Sequence, residues 1–525
     1  MNKLIGGSLI ALLASLTIAA APAAASVQNV KISGDIDAKA IYQTNYDLKR
    51  NDQTIGTANA LTRYADTEGY FLSTVRVRVD ADLTDNVSTT VRLLNQRRWG
   101  ADGASTGDID LNLANLTLNE VMYSPLSLII GRQDLNYGRG FIIGAGILAD
   151  PNAVFTQATV TGLPAATQDS GATYTVLNGR EYSAYNSFDA IRAVLDLDPV
   201  TIDGFIAQVV ESGQARNDNM IWGVEGSYRL EDNMDTSVDL YYFGKNDEAF
   251  AATDALRFGV NGAGSYGLNN NNNTGVISVY EANQVHTIGG LVQSEVVEGM
   301  MLTGELAYQF GELQDGTING TQTALAADRD RSAWAFNLEG AMNFNELMNE
   351  DVSWNPTGGM GFLYLSGEEA GNSGDYGAWD NMYRGHFFSG IRDFLAGTQG
   401  DGLYSTGDPY DSAGNTNTMA LYFDAGAELM DDLHLSGRYL HFWFDEKPLA
   451  GRDDGAGDEI DLKLVYDYTE DVQFGLSALW FIPGNYYEGE NDNTPINAGN
   501  ATGNGVGNKS EDVAFGLTGS VTVNF

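Results

Sequence analysis

Val75-Arg76-Val77-Arg78-Val79-Asp80-Ala81-Asp82-Leu83 carries the pattern that decides the fold. Every second residue is aliphatic and every residue between is charged. Successive side chains of a β-strand leave opposite faces, so this period gives one greasy face and one wet one. The pattern recurs along the chain. Val30, Ile32, Ile36, Ala38 and Ala40 oppose Lys31, Ser33, Asp35, Asp37 and Lys39. Leu302, Leu306, Tyr308 and Phe310 oppose Thr303, Glu305 and Gln309, and Ile460, Leu462, Leu464 and Tyr466 oppose Glu459, Asp461, Lys463 and Asp467.

A soluble sandwich would account for any one such segment, but not for the set. The segments run about ten residues, the length of a tilted membrane strand, where ordinary strands run about five or six. Their connections alternate between tight and long. Thr84-Asp85-Asn86, Asp198-Pro199, Glu231-Asp232-Asn233, Met430-Asp431-Asp432 and Thr469-Glu470-Asp471 are tight. Residues 43–69, 138–185, 246–283, 367–417 and 483–511 are long and polar. Membrane barrels have short periplasmic turns and long outer loops. The expected fold is therefore all-β: a transmembrane antiparallel β-barrel of about 18 strands, an even number as bacterial barrels require. Two segments break the pattern. Leu111 and Leu113 change parity to Leu116 and Leu118, which a bulge would repair. Leu126 to Ile130 is apolar on both faces.

Composition agrees. With 43% hydrophobic residues the 525-residue chain is too apolar for an acidic disordered tail. Its 28 Lys+Arg against 70 Asp+Glu give a net charge of −42, which excludes nucleic acid as a partner. No cysteine is present, so disulfides, thiolate metal sites and Cys nucleophiles are excluded. Lys3, the apolar run Leu4 to Ala20 and the small residues Ala23-Ala24-Ala25 read as a secretory signal peptide over residues 1–25. Residues 26–525 then form one barrel domain in the outer membrane of a Gram-negative cell. A wide barrel has a wet lumen, so a chain of mean hydropathy −0.21 can still live in lipid. Tyr70, Tyr137, Trp222, Trp443 and Trp480 fit the interfacial girdles of such a wall.

Chemistry-bearing motifs are few. His286, His386, His434 and His441 lack metal-ligand spacing. Gly138-Arg139-Gly140 lacks the strand-to-helix context of a nucleotide fingerprint. The chain is not read as an enzyme and no cofactor is expected, Ca²⁺ at the acidic outer loops Asp445 to Glu459 and Gly489 to Asn504 being the exception kept open. The informative set is basic: by parity Arg76, Arg78, Arg92, Arg192, Arg229, Arg438 and Lys463 face the lumen, where rings of Arg select anions and rings of acid select cations.

The run Gly131-Arg132-Gln133-Asp134-Leu135-Asn136-Tyr137-Gly138 resembles a signature of the alginate-export family of outer-membrane porins. Phe188-Asp189 with Arg192, His286-Thr287 with Gly289, Glu305 with Tyr308-Gln309-Phe310-Gly311, and Ser366-Gly367-Glu368 follow in that family's order. So do Glu459, Asp461-Leu462 and Tyr466, then Gly475-Leu476-Ser477 and Phe481 with Pro483-Gly484. The resemblance implies an eighteen-stranded barrel passing an anionic polysaccharide, with Arg132 as a pore arginine and Arg192, Glu305 and Glu459 as wall partners. The overall acidity and the Glu at 368, where the family has Asp, depart from that pattern.

The expected function is thus an outer-membrane channel of the alginate-export type, passing an anionic polysaccharide or oligosaccharide. The alternatives are a general or cation-selective uptake porin and, in another class, a surface adhesive or structural barrel. The expected partners are outer-membrane lipid and lipopolysaccharide, the transported polysaccharide or small solute, and the barrel-assembly machinery through the terminal Phe525.

Overall fold

The computed structural model describes residues 28–45, 67–99, 109–123, 125–140, 142–144, 187–210, 219–247, 276–279, 283–313, 316–319, 329–368, 374–380, 382, 389–391, 416–447, 453–485 and 513–525. Its strands are β1 (Asn29–Thr44), β2 (Thr67–Thr84), β3 (Val87–Arg98), β4 (Asp110–Leu118), β5 (Leu126–Gln133), β6 (Phe188–Asp196), β7 (Val200–Val210), β8 (Asn219–Arg229), β9 (Ser237–Asp247) and β10 (Val276–Val279). They continue with β11 (Asn283–Val297), β12 (Met300–Leu313), β13 (Gly316–Asn319), β14 (Arg329–Asn343), β15 (Thr357–Leu365), β16 (Thr418–Met430), β17 (Leu433–Trp443), β18 (Gly455–Thr469), β19 (Val472–Pro483) and β20 (Ala514–Asn524). β10 and β13 pair only with each other; the other eighteen form one antiparallel sheet. That sheet closes, because β1 pairs with β2 on one side and β20 on the other. Closure satisfies every edge, the condition for a sheet to cross hydrocarbon. This is the architecture of an outer-membrane porin.

Cross-strand partners share a face, so the registers extend the alternation read in sequence around the wall. Ile32 pairs with Val79, Val79 with Val91 and Val91 with Ala114, all outward. Asp35 pairs with Arg76, inward. Outward Ile32, Leu240 and Leu338 are 65%, 65% and 58% exposed, which only a lipid or protein surround would tolerate in such number. Short turns fall where the sequence placed them: β2 ends at Thr84 and β3 starts at Val87, and β18 ends at Thr469 with β19 starting at Val472. The longest of the short-side connections holds a small helix, α1 (Phe344–Met348), capped by Asn343.

Both anomalous segments have physical explanations. The β3–β4 register shifts between Arg92 and Leu93, which face Leu113 and Leu111, so Asn112 is the extra, buried residue of a bulge. Leu113 then points in and Leu111 out. In β5, Leu128 and Ile130 face outward, and Ile129 is the inward apolar residue, beside Arg192. Trp222, Trp443 and Trp480 are on the outer face, near His286, Phe362 and Phe515 respectively. Tyr70 and Tyr137 are corrections: both are buried inside, at 7% and 2% exposure. The signal-peptide segment and the loop 489–504 lie outside the described residues.

The seam uses the last residue. Phe525 exchanges two backbone hydrogen bonds with Gly34, at 2.9 and 3.0 Å. A Cβ at position 34 would stand 2.6 Å from the Phe525 ring and 2.4 Å from the Arg76 carbonyl oxygen. Gly34→Val is therefore expected to destabilise the barrel by about 1–3 kcal/mol. Loss of the heat-modifiable band at a lower temperature than the parent on semi-native gels measures it; unchanged melting would contradict the seam geometry.

Candidate functional site

The chain does not leave the barrel after β5; it turns into the bore. Leu135, Tyr137, Ile142 and Ile143 are all at or below 2% exposure. Tyr137 stacks on Phe205 of β7 at 4.8 Å and its hydroxyl donates to Asp203 at 3.2 Å. The Gly138 N–H donates to Glu225 of β8 at 3.0 Å. Arg139 then reaches Glu339 of β14 at 3.1 Å. Six barrel strands separate β5 from β14, so this strap crosses a large part of the lumen. Two glycines permit the turn: Gly138 has φ of 54° and Gly140 of 75°. A Cβ on Gly138 would also meet the Glu305 carboxylate at 2.6 Å.

A second inward segment meets it. Asp380 is paired with Lys245 of β9 at 3.1 Å, and its backbone exchanges hydrogen bonds with the Gln309 amide of β12 at 2.7 and 2.8 Å. Arg331 donates to the Ala378 carbonyl at 2.8 Å and lies over the Tyr376 ring. Further along, the Ile391 N–H donates to Glu459 at 2.7 Å and the Gly390 N–H to Asp461 at 3.1 Å. Both segments bring their own apolar side chains and bury them together with inward Phe243, Tyr422 and Phe481. That is ordinary hydrophobic packing inside what would otherwise be a wet cylinder.

The inward wall of β1 to β3 is lined by charged side chains. Its charges come in pairs. Arg76 bonds Asp35 at 2.7 Å, Arg78 bonds Asp80 at 2.8 Å, and Arg92 reaches Asp134, at the root of the strap, at 3.2 Å. Lys39 pairs with Asp37. Hydroxyls continue the lining: Ser520 is the partner of Lys39 and Thr522 of Asp37. On the far wall Arg438 grips Asp424 at 2.6 and 3.0 Å and stacks on Tyr422, whose hydroxyl donates to Glu339 at 2.9 Å. Below this network a hollow of about 520 Å³, edged by Glu295, Glu339, Thr357, Asp424 and Ser436, opens toward the periplasmic turns.

Arg76, Arg78, Arg92, Arg192, Arg229, Arg438 and Lys463 stand on the inward face. Arg192 does not join the row on β2 and β3. It bonds Asp203 through Nε at 2.8 and 3.0 Å and lies over Tyr137. Glu305 accepts from the Tyr241 hydroxyl at 2.9 Å, and Glu459 holds Ile391, so both anchor internal structure. Arg132 is a correction. It pairs across the sheet with Ala114 and Asp189, on the same face as Leu128 and Ile130, and so points out of the barrel. Its guanidinium bonds the Asp189 carboxylate at 2.9 and 3.0 Å. Arg139, which the sequence reading set aside as a failed nucleotide motif, is the arginine that spans the lumen. Its only sequence signal was a Tyr-Gly-Arg-Gly run beginning a long connection. Among the described residues no group of three His, Cys, Asp or Glu could hold a metal ion.

Burial raises the Asp134 carboxyl above the ordinary range, against the pull of Arg92. Burial also lifts the Tyr137 phenol. Burial would raise Asp380 too, yet Lys245 and Arg331 outweigh it and hold that carboxyl low.

No family model matches the chain and no curated protein matches it. The alginate-export resemblance therefore gains no support there. Solved structures with a similar course include a BenF-like porin from Pseudomonas fluorescens Pf-5, at 8% identity and TM-score 0.47 over 95% of this chain and 99% of that one. The outer-membrane protein OpdK from Pseudomonas aeruginosa stands at 9% and 0.46, with 95% and 99% covered. OccAB4 from Acinetobacter baumannii stands at 10% and 0.45, with 95% and 99% covered. Likeness this low carries no substrate across.

Protonating Asp134 would free Arg92 from its partner. Because that carboxyl sits above the ordinary range, anion preference should rise as pH falls, beginning above the pH at which exposed carboxylates titrate. Reversal potentials in a salt gradient measure this, and Asp134→Asn should show the acid-form preference at every pH. A variant that still titrates like the parent would remove Asp134 from the account.

Proposed function

We propose that this chain is an outer-membrane uptake porin for small polar solutes rather than a polysaccharide exporter. The observation that carries the reading is the strap: residues 134–140 and 142–144 lie within the bore and are fixed by Arg139 to Glu339 on a distant strand. An eighteen-stranded barrel is wide when empty. With its cross-section shared by two packed segments, the remaining passage suits a small solute, whereas a hydrated polymer chain needs the bore clear along its length.

The paired charges support a general filter. Arg76 and Arg78 face acids of the same wall and Arg92 an acid at the root of the strap, so an entering ion meets both signs and the field of one sign does not extend across the lumen. Weak selectivity with modest anion preference near Arg78, the more open member of the row at 43% side-chain exposure, follows from that arrangement. Outside, the aliphatic rows would meet lipid and lipopolysaccharide, and Phe525 at the seam would be read by the assembly machinery.

Liposome swelling and planar-bilayer recording test this together. Monosaccharides and small carboxylates should enter at rates far above a uronate oligomer, and the oligomer should fail to block current. Arg139→Ala should raise single-channel conductance and add transitions between levels as the strap loosens. Entry of the oligomer at small-solute rates would favour export instead. Unchanged conductance in Arg139→Ala would mean the strap does not limit the passage.

A further inference from the structure

The short side of the barrel carries one structure that mere connection does not need. Residues 344–356 join β14 to β15, where two residues suffice between β2 and β3, β11 and β12, or β18 and β19. The longer connection is rigid. The Asn343 side chain accepts the Asn345 N–H at 3.0 Å and so starts α1. The Asn345 amide then holds Val352 twice, donating to its carbonyl at 2.9 Å and accepting its N–H at 3.1 Å. At the base of the loop the Phe344 N–H donates to the Pro356 carbonyl at 3.0 Å. What this frame holds out is apolar: Leu347 and Met348 are exposed, Met348 at 52%. Beside it the Trp354 carbonyl takes the Glu428 N–H at 2.8 Å, which brings up the β16–β17 turn with Met430, 68% exposed.

The charges around these side chains are of one sign. Glu346, Glu350 and Asp351 belong to the connection, Asp431 and Asp432 to the β16–β17 turn, and Glu298 to the β11–β12 turn. The last turn is adjacent, because the Asn343 N–H donates to the Gly299 carbonyl at 2.8 Å. All six acids are exposed, and no Lys or Arg stands in residues 295–299, 343–357 or 428–433. In the lumen Arg76, Arg78 and Arg438 each bond an acid. Among the described residues, none of these six carboxylates is bonded to a cation. Acid marks other turns too, at Asp85 and at Glu470-Asp471, but those are bare two-residue links.

We propose that α1 and the turns beside it form a docking surface for a basic, amphipathic segment of a soluble periplasmic protein. Charge gives the sign of the partner, since unpaired carboxylates on a fixed frame attract Lys and Arg and steer their approach. The exposed Leu347, Met348 and Met430 give the rest. Apolar side chains rimmed by polar ones mark protein contacts, and methionine adapts its shape to what packs on it. A lipid surface fits less well. Helices that lie on membranes carry Lys and Arg on their polar face, where α1 and its neighbours carry acid alone. Glu346 also edges the hollow of about 520 Å³, so the bound partner stands beside the periplasmic opening of the bore. This assignment holds whatever solute the channel passes.

Barrels in zwitterionic lipid nanodiscs leave the short turns accessible, with empty discs as the blank. The probe is a synthetic Leu/Lys amphipathic peptide, and a Ser/Lys peptide of equal charge is its counterpart. The chain has no cysteine, so Ser353→Cys carries a single environment-sensitive dye on the connection. The Leu/Lys peptide should shift the dye emission and bind about tenfold more tightly than the Ser/Lys one. Glu350→Gln, Asp351→Asn and Asp431→Asn together should weaken binding about tenfold, a loss that shrinks as salt rises. Met348→Ala with Met430→Ala should weaken the Leu/Lys peptide alone. Asp85→Asn, Glu470→Gln and Asp471→Asn, the same charge change on bare turns, should leave affinity unchanged. Each variant's heat-modifiable band certifies a folded barrel. Equal weakening by both charge sets would overturn the proposal, since the attraction would then be diffuse. So would equal affinity for the two peptides, or a dye that answers neither. Quenching of the dye by brominated lipid before peptide is added would put the surface in the membrane and overturn it as well.

Discussion

Hydrocarbon accepts no hydrogen bonds, and that single fact organises this protein. A strand in lipid must find a partner on each side, so eighteen strands pair into a cylinder with β1 joined to β20. Once closed, the sheet has one face for lipid and one for water, and side-chain alternation has to match the wall at every position. The Val-Arg-Val-Arg stretch of β2 is that rule written out. A one-residue slip would turn Arg76 and Arg78 into the membrane, so the register is held by solvation as firmly as by the backbone ladder.

Closure explains how the bore can carry chemistry, but the strap explains what kind. A wide cylinder has too much room for wall side chains alone to filter a solute. Chain returned from the outer rim supplies the missing contents, and it does so with the physics of a soluble core: Tyr137 between Phe205 and Phe243, and carboxylates of the wall receiving backbone N–H groups and Arg139. The interior thus holds a small apolar cluster on one side and paired charges on the other. The division of the lumen between them is set by where the segment after β5 re-enters.

Alternation is a local signal, so the strands, the tight turns and the need for a bulge in β4 were legible from sequence. The bulge itself stands at Asn112, one step before the Leu113–Leu116 interval in which the sequence pattern changes parity. The inward direction of Arg76, Arg78, Arg92, Arg192 and Arg438 was legible for the same reason. Arg132 was not, because its direction was taken from motif likeness; its β5 partners Leu128 and Ile130 are the residues that place it outward. Tyr70 and Tyr137 misled for a different reason. A tyrosine near a strand end suits a girdle and a packed interior equally: strand parity turns Tyr70 inward beside Ile41, and the path of the chain after β5 buries Tyr137. Nothing periodic marks a loop that folds inward, since its contacts lie on strands far away in sequence. Glu339, the partner of Arg139, is 200 residues along the chain.

The seam has a consequence for how the molecule is made. Its two strands stand at opposite ends of the barrel sequence, and the last bonds across it belong to Phe525 and Gly34. Contacts so remote in sequence carry a heavy loop-closure cost and form late. Until they form, β1 and β20 each expose a bare edge, the template on which strands of other chains aggregate. A newly exported copy therefore needs its edges guarded through its passage across the aqueous periplasm. The last residue joined is also the one whose arrival ends that exposure.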